Sequence, residues 1–137
     1  MTRDELYAFL REHRLAVIST IGAGSPQAAV IGIAVTESLD IIFDTLGTSR
    51  KYANLRADPR AALAIGWDAA QTVQVEGIAD FPAGPDLDAC KRAYFAVWPD
   101  GVERERWPHI AYVRIRPRWL RYSDFGETPP KIEELTL

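Results

Sequence analysis

The chain of 137 residues has few of the residues that build disulfides and metal sites: one cysteine, Cys90, and two histidines, His13 and His109. A single cysteine excludes an internal disulfide and is typical of a reducing compartment, so we expect a cytoplasmic protein. With so few thiol and imidazole groups we expect no structural zinc site and no bound metal.

Long hydrophobic runs and an excess of basic residues are also absent. No apolar run approaches the length of a membrane span, and the polar N-terminus has no signal-peptide core. The formal net charge of −3 argues against a protein held to nucleic acid by a general basic field. The length and the hydrophobic content of 47% therefore predict one globular domain over residues 1–137, bound to neither membrane nor nucleic acid.

The common catalytic motifs are missing too. There is no Walker loop and no Gly-x-Ser-x-Gly elbow. The run Gly22-Ala23-Gly24 begins like a dinucleotide loop but lacks the third glycine, and its position favours a hairpin turn. The sequence therefore leaves the catalytic residues unknown.

What is present is a series of short strands interrupted by helices. The patterns predict helices over 3–13, 49–57 and from Gly84 to Pro99, and strands over 15–20, 27–35, 40–45, 61–67, 72–81, 109–116 and 118–123. Short connections predict that the first three strands form an antiparallel meander. The fold class is therefore mainly β, a small antiparallel barrel with helices.

Four local features refine this expectation. Gly77 predicts a bulge in the strand over 72–81, and Pro117 predicts a break between the last two strands. The polar segment 126–137 is expected to form an arm. Cys90 lies on the apolar stripe of its helix, so we expect a core residue and not a nucleophile.

The start of the helix over 49–57 breaks a local rule. Ser49 is a natural N-cap, yet the next two residues are Arg50 and Lys51, at the positive end of the helix dipole. Each cation there costs roughly 0.3–1 kcal/mol. A bound phosphate reverses this cost, because it accepts the free N–H groups, the hydroxyls and both cationic side chains. The alternative is an ordinary solvated basic turn.

The order of motifs around this turn resembles that of a known family. Ser49-Arg50-Lys51 is followed by Asn54-Leu55 and Asp58-Pro59-Arg60, and then by the strand Thr72 to Ala79. In this order the chain resembles, over residues 5–123, the pyridoxamine 5′-phosphate oxidase-like family of FMN-binding split β-barrels. The resemblance implies a Greek-key antiparallel barrel of about six strands. It also implies a homodimer with FMN at the subunit interface.

The resemblance also implies which residues contact the cofactor. The FMN phosphate would be held by Thr45, Ser49, Arg50 and Lys51. Backbone groups of the second strand would lie along the isoalloxazine ring, at Ala29, Val30 and Ile31. Gln71 and Thr72 would contact the flavin from the next strand.

The sequence departs from the true oxidase at two places. Ala34 stands where the oxidase pattern has a lysine, and the segment 122–127 lacks the arginine and histidine that bind the phosphorylated substrate. These departures argue against pyridoxamine phosphate as substrate.

We therefore expect an FMN-binding oxidoreductase whose substrate and electron donor are unknown small molecules. The alternatives are an enzyme of the same fold that uses the deazaflavin cofactor F420, and a non-catalytic flavin- or haem-binding module. His109 could donate to a flavin, and Arg114, Arg116 and Arg118 could share a strand face toward an anion. Ordinary solvated surface positions explain these residues equally well.

Overall fold

The computed structural model describes every residue from 1 to 137. Its helices are α1 (Arg3–Glu12), α2 (Arg50–Ala57), α3 (Gly84–Val97) and α4 (Gly101–Arg104). Its strands are β1 (Leu15–Gly22), β2 (Ser25–Gly32), β3 (Ala34–Val35), β4 (Ile41–Leu46), β5 (Arg60–Ile65), β6 (Gln71–Asp80), β7 (Ile110–Asp124) and β8 (Lys131–Thr136). None of the helices has both the length and the apolar character needed to cross a lipid bilayer.

All strands belong to one antiparallel sheet in the order β2-β1-β5-β6-β7-β4-β3, with β8 paired to β7 outside this path. The first and last strands of that order are separated in the chain by Ile33 alone, so the sheet curls until its two ends meet. If β2 and β3 are counted as one bent strand, the path contains the six strands expected of the barrel. The mainly β split-barrel prediction is confirmed.

Pairing corrects the predicted meander. β1 and β2 form a hairpin whose turn has positive φ at Ala23 and Gly24, as a two-residue primed turn requires. The third predicted strand pairs with the second only through the short β3. Its main partner is β7, which arrives from much later in the chain. A short connection indicates antiparallel neighbours, but it cannot show where a chain bends out of one ladder into another.

The predicted break at Pro117 is also wrong, because β7 runs without interruption through it. Pro117 lies opposite Gly77 at a register shift, where the ladder leaves Arg118 without a partner. A bulge is the position within a sheet at which a missing N–H costs least. The ladder is therefore irregular at Gly77 as expected, but the extra residue lies in β7 and not in the strand over 72–81. This irregularity accommodates the proline that seemed to end the strand.

The C-terminal segment is not a free arm. β8 pairs with β7 from Lys131 to Thr136, and the N-terminal amine forms an ion pair with Glu133. Inside the sheet, one continuous cluster of buried apolar side chains forms the core, and it includes Cys90 as predicted.

Candidate functional site

The turn between β4 and α2 is organised by two hydroxyl groups. Ser49 caps α2, its Oγ accepting the N–H of Tyr52 at 3.3 Å, as predicted. The same oxygen lies 2.9 Å from Oγ1 of Thr45, which is buried at the end of β4. One proton serves the bond between the two hydroxyls, so the other is free to be donated to a ligand.

Four further donors surround this turn without acceptors. The backbone N–H groups of Arg50 and Lys51 make no hydrogen bond, as expected for the first turn of a helix. Neither side chain forms an ion pair, and no acidic residue occupies the first turn of α2. The uncompensated positive charge inferred from the sequence is therefore present in the structure.

A groove of about 100 Å³ opens beside these donors. Its wall combines Arg50, Lys51 and Asn54 of α2 with residues of β1 and β2, among them Thr20, Gln27 and Ala29. The groove can accept a phosphate group, but it is far smaller than the 300–1,000 Å³ typical of sites for whole organic ligands.

Asn54 fixes the groove, and the sequence analysis did not identify it as a functional residue. Its side-chain amide donates to Thr20 Oγ1 at 3.0 Å and to Gln27 Oε1 at 2.8 Å, so one buried residue joins α2 to both strands of the hairpin. A Cβ on Gly22 would lie 2.4 Å from the Asn54 amide oxygen, so glycine is required there. The sequence does carry one sign of this role, because Asn54 is a polar residue on the face of a short helix that packs inward.

Asp44 holds the other side of the turn in place. Its carboxylate accepts from Arg104 Nε at 2.8 Å and from the Tyr94 hydroxyl at 3.0 Å. Burial, followed by the Asp44 charge, raises the pKa of Tyr94 above its usual value, so the phenol stays protonated and donates. This network ties α3 and α4 to the strand that carries Thr45.

β2 is one end of the sheet path, so half of its backbone groups face outward. Hydrogen-bonded and non-hydrogen-bonded pairs alternate along an antiparallel ladder. Because the Ile33 N–H donates to Arg14 O, the odd-numbered residues of β2 bond to β1, and the backbone groups of the even-numbered residues point away from it. Among the three predicted flavin neighbours, Val30 therefore presents free backbone groups, and its side chain is 64% exposed. Ala29 lines the groove, and Ile31 is buried in the core.

Gln71 and Thr72 do not lie at this groove within one chain. The Gln71 amide donates to Asp124 at 3.3 Å, and both residues stand at the start of β6. Val73 of β6 pairs with Ile65 of β5, and Ile65 pairs with Ala16 of β1. Ala16 is four residues along β1 from Thr20, which lines the groove. Four residues of strand correspond to about 13 Å. Gln71 and Thr72 are therefore not part of the groove beside α2.

The arginines of β7 and His109, the other candidate residues, lie away from the groove beside α2. Arg114 donates both arms of its guanidinium to Asp80 at 2.8 Å, and Arg116 lies 3.5 Å from the same carboxylate. Arg118 is separated from this face by the bulge. His109 is exposed at φ 65°, and its carbonyl accepts the N–H of Gly47. No group of three or more histidine, cysteine or acidic side chains is placed to bind a metal.

Comparison with known proteins identifies relatives of this chain. The pyridoxine/pyridoxamine 5′-phosphate oxidase of Bordetella avium is 30% identical to the chain over 128 residues, covering 88% of it. The chain spans only 59% of that oxidase.

Two solved structures share the fold. The haem-binding protein from Mycobacterium smegmatis superposes with a TM-score of 0.85 at 18% identity, over 99% of this chain and 58% of that one. A pyridoxamine 5′-phosphate oxidase-related, FMN-binding protein from Nostoc punctiforme superposes with a TM-score of 0.67 at 13% identity. That match covers 98% of this chain and 90% of the other. The sequence model of pyridoxamine 5′-phosphate oxidase matches residues 2–124, and the chain belongs to this family.

Proposed function

We propose that the chain binds FMN, with the phosphate at the start of α2, and acts as a flavin-dependent oxidoreductase. The observation that carries the proposal is the uncompensated cluster of donors formed by Ser49, Arg50 and Lys51. These residues lie within the segment that matches the family, and one solved neighbour is an FMN-binding protein.

The chain supplies three kinds of donor to a phosphate. The backbone N–H groups of Arg50 and Lys51 point along the helix axis at the positive end of the dipole. The hydroxyl pair of Thr45 and Ser49 offers one proton, and the two cationic side chains supply charge. FMN, when bound, supplies the capacity to accept and release electrons.

The free edge of β2 extends this site beyond the phosphate. The outward N–H and C=O of Val30 match the mixed donors and acceptors along one side of a flavin ring. Gln27 stays fixed to Asn54, which keeps the hairpin at a constant distance from α2.

We further propose that two copies of the chain complete the site. The groove in one chain is too small for a whole flavin, and Gln71 and Thr72 lie far from it. The outer face of β5 carries the small residues Ala62 and Ala64, with hollows of about 480 and 260 Å³ beside them. A second copy can approach closely where side chains are small, and two-fold dimers are the commonest homo-oligomers.

The substrate is proposed to differ from pyridoxamine phosphate. Ala34 is buried and offers no charge, and Tyr122, Ser123 and Asp124 are bound within the sheet. An uncharged or differently charged small molecule therefore fits this chain better.

The phosphate assignment is tested by removing the two cations. We expect Arg50→Met and Lys51→Met each to weaken FMN binding roughly ten- to a hundredfold, because a charged hydrogen bond is lost. The apo-protein should be no less stable, because an unfavourable helix-end charge is removed as well. Titration of FMN fluorescence gives the affinity, and Arg92→Met, an exposed residue of α3 outside the groove, is the control.

A double variant that binds FMN as tightly as the unmodified chain would refute the assignment.

A second measurement separates an enzyme from a binding module. Anaerobic NADH or NADPH should bleach the bound flavin, and an added acceptor should restore its colour. If both nicotinamides fail while free FMN responds to a control reductase, simple nicotinamide:flavin oxidoreduction is excluded. Direct titration with F420 and with haemin then distinguishes the remaining ligands.

A further inference from the structure

A second cavity lies on the opposite side of α2 from the phosphate groove. Its volume is about 530 Å³, and it opens between α2, α3 and the start of β7. At 100° per residue, Arg50, Lys51 and Asn54 occupy one face of α2, whereas Tyr52 and Arg56 occupy the reverse face. The two hollows therefore share a helix but no lining residue.

The walls of this α2–α3 cavity are aromatic. Tyr52 and Phe81 meet edge to face with ring centroids 5.4 Å apart, and the Tyr112 ring forms part of the lining. Leu87 and Pro82 add apolar surface between them. Such walls favour a flat apolar body, which can lie against ring faces and edges.

The same walls carry more positive than negative charge. Arg56 lies 4.3 Å from the centroid of Phe81, and its guanidinium has no carboxylate partner. Arg106 also makes no ion pair. The one acidic side chain of the lining, Glu105, is neutralised by Lys91 at 2.9 Å. A guanidinium stacked on a ring keeps its N–H donors free at its edge, where a carboxylate can bind.

One buried polar atom in the lining has no partner. The Tyr112 side chain is 7% exposed, yet its hydroxyl forms no hydrogen bond. A buried hydroxyl left unpaired is costly, so it calls for a structural or functional reason. The hydroxyl itself is closed off from solvent, so only the ring of Tyr112 is offered to the cavity.

We propose that the α2–α3 cavity binds a planar aromatic carboxylate, at a site separate from the phosphate groove. The ring system packs against Phe81 and Tyr52, and the carboxylate meets Arg56 and Arg106. The volume is within the range of sites for organic ligands of this size. The inference does not depend on the identity of the cofactor.

The test uses the full chain, with and without added FMN, and the probe 2-naphthoate. Calorimetry should show binding, and amide shifts in NMR spectra should cluster around Arg56, Phe81 and Tyr112. Neutral 2-naphthylmethanol, which keeps the rings and lacks the carboxylate, should bind at least tenfold more weakly. Shifts centred on Lys51, or equal binding of the neutral compound, would overturn the proposal.

Variants identify the contacts. Arg56→Met and Arg106→Met should each weaken 2-naphthoate binding roughly tenfold, because each loses one charged contact. Tyr112→Phe, which keeps the ring that lines the cavity and removes only the inaccessible hydroxyl, should bind the probe like the unmodified chain. Arg92→Met, at an exposed residue that does not line the cavity, should bind the probe like the unmodified chain.

Three further results would also contradict the site. If Arg56→Met and Arg106→Met both bind normally while circular dichroism shows them folded, the carboxylate is not held where we place it. The same conclusion follows if no binding occurs at millimolar 2-naphthoate. Competition between saturating FMN and 2-naphthoate would move the probe to the groove beside Lys51, because the two hollows lie on opposite faces of α2.

Discussion

Asn54 offers the most direct test of how α2 is held against the barrel. The side chain is 8% exposed and donates to Thr20 and Gln27, residues of two different strands. Truncation in Asn54→Ala removes both hydrogen bonds and leaves the Thr20 hydroxyl, which is 2% exposed, without its donor. Gln27 is half-buried, so its amide can find water instead.

The size of the effect follows from these differences in burial. A net hydrogen bond contributes about 1 kcal/mol, and a buried group left unpaired costs about 1–3 kcal/mol. Alanine is a better helix former than asparagine by up to about 0.7 kcal/mol, which offsets part of the loss. We therefore expect Asn54→Ala to lower the free energy of unfolding by about 2 kcal/mol, or Tm by roughly 8 °C for a chain of this size.

Urea unfolding followed by circular dichroism measures this difference, provided that the m-value stays unchanged. Gln27→Ala should cost less than about 1 kcal/mol, because its partner atom hydrates easily. A double-mutant cycle of Asn54→Ala with Thr20→Val should return a coupling energy of about 1 kcal/mol. A loss below about 0.5 kcal/mol for Asn54→Ala, or a coupling energy of zero, would refute the reasoning.

Three other predictions test assembly, packing and ionisation. Sedimentation should give about twice the chain mass of 15.3 kDa, and a wild-type monomer with tight FMN binding would contradict the dimer. Ala62→Arg, on the outer face of β5, should yield monomers that bind FMN poorly. The control Ala96→Arg, at an exposed residue of α3, should stay dimeric and bind FMN normally. Gly77→Ala should destabilise by about 2 kcal/mol or more in urea unfolding, since its Cβ would lie 2.6 Å from the carbonyl oxygen of Arg116; an unchanged midpoint would refute this. Burial, followed by the charges of Glu105 and Asp44, raises the pKa of Tyr112 to about 12. The unfolded phenol ionises near pH ~10, so this group leaves the folding stability unchanged below that pH and lowers it as pH rises from ~10 toward ~12. In Tyr112→Phe the stability should fall less steeply over that interval, and equal slopes would exclude the effect.

The sequence was most informative where local chemistry alone decides the structure. Ser49 caps α2 as its hydroxyl predicts, and Gly77 lies at a bulge because only a residue without Cβ fits against Arg116. The uncompensated charge of Arg50 and Lys51 could be predicted from the sequence because the N-terminal end of a helix dipole is always positive. Each of these features depends on a few neighbouring residues.

Features set by distant partners were not predictable in this way. Pro117 continues a strand because Gly77, forty positions earlier in the chain, provides the bulge opposite it. The polar segment near the C-terminus becomes β8 because β7 extends far enough to pair with it. Asn54 gains its role from Thr20 and Gln27, whose proximity exists only after the barrel has closed.

The free edge of β2 has a consequence for how the protein behaves in concentrated solution. Unpaired backbone groups at a sheet edge can be extended by a strand of any neighbouring chain, which is a route to aggregation. Pro26 occupies one of the outward-facing positions of this edge and has no N–H to offer. The exposed ladder is therefore reduced to Ala28, Val30 and Gly32, which leaves fewer backbone groups with which a neighbouring chain can pair.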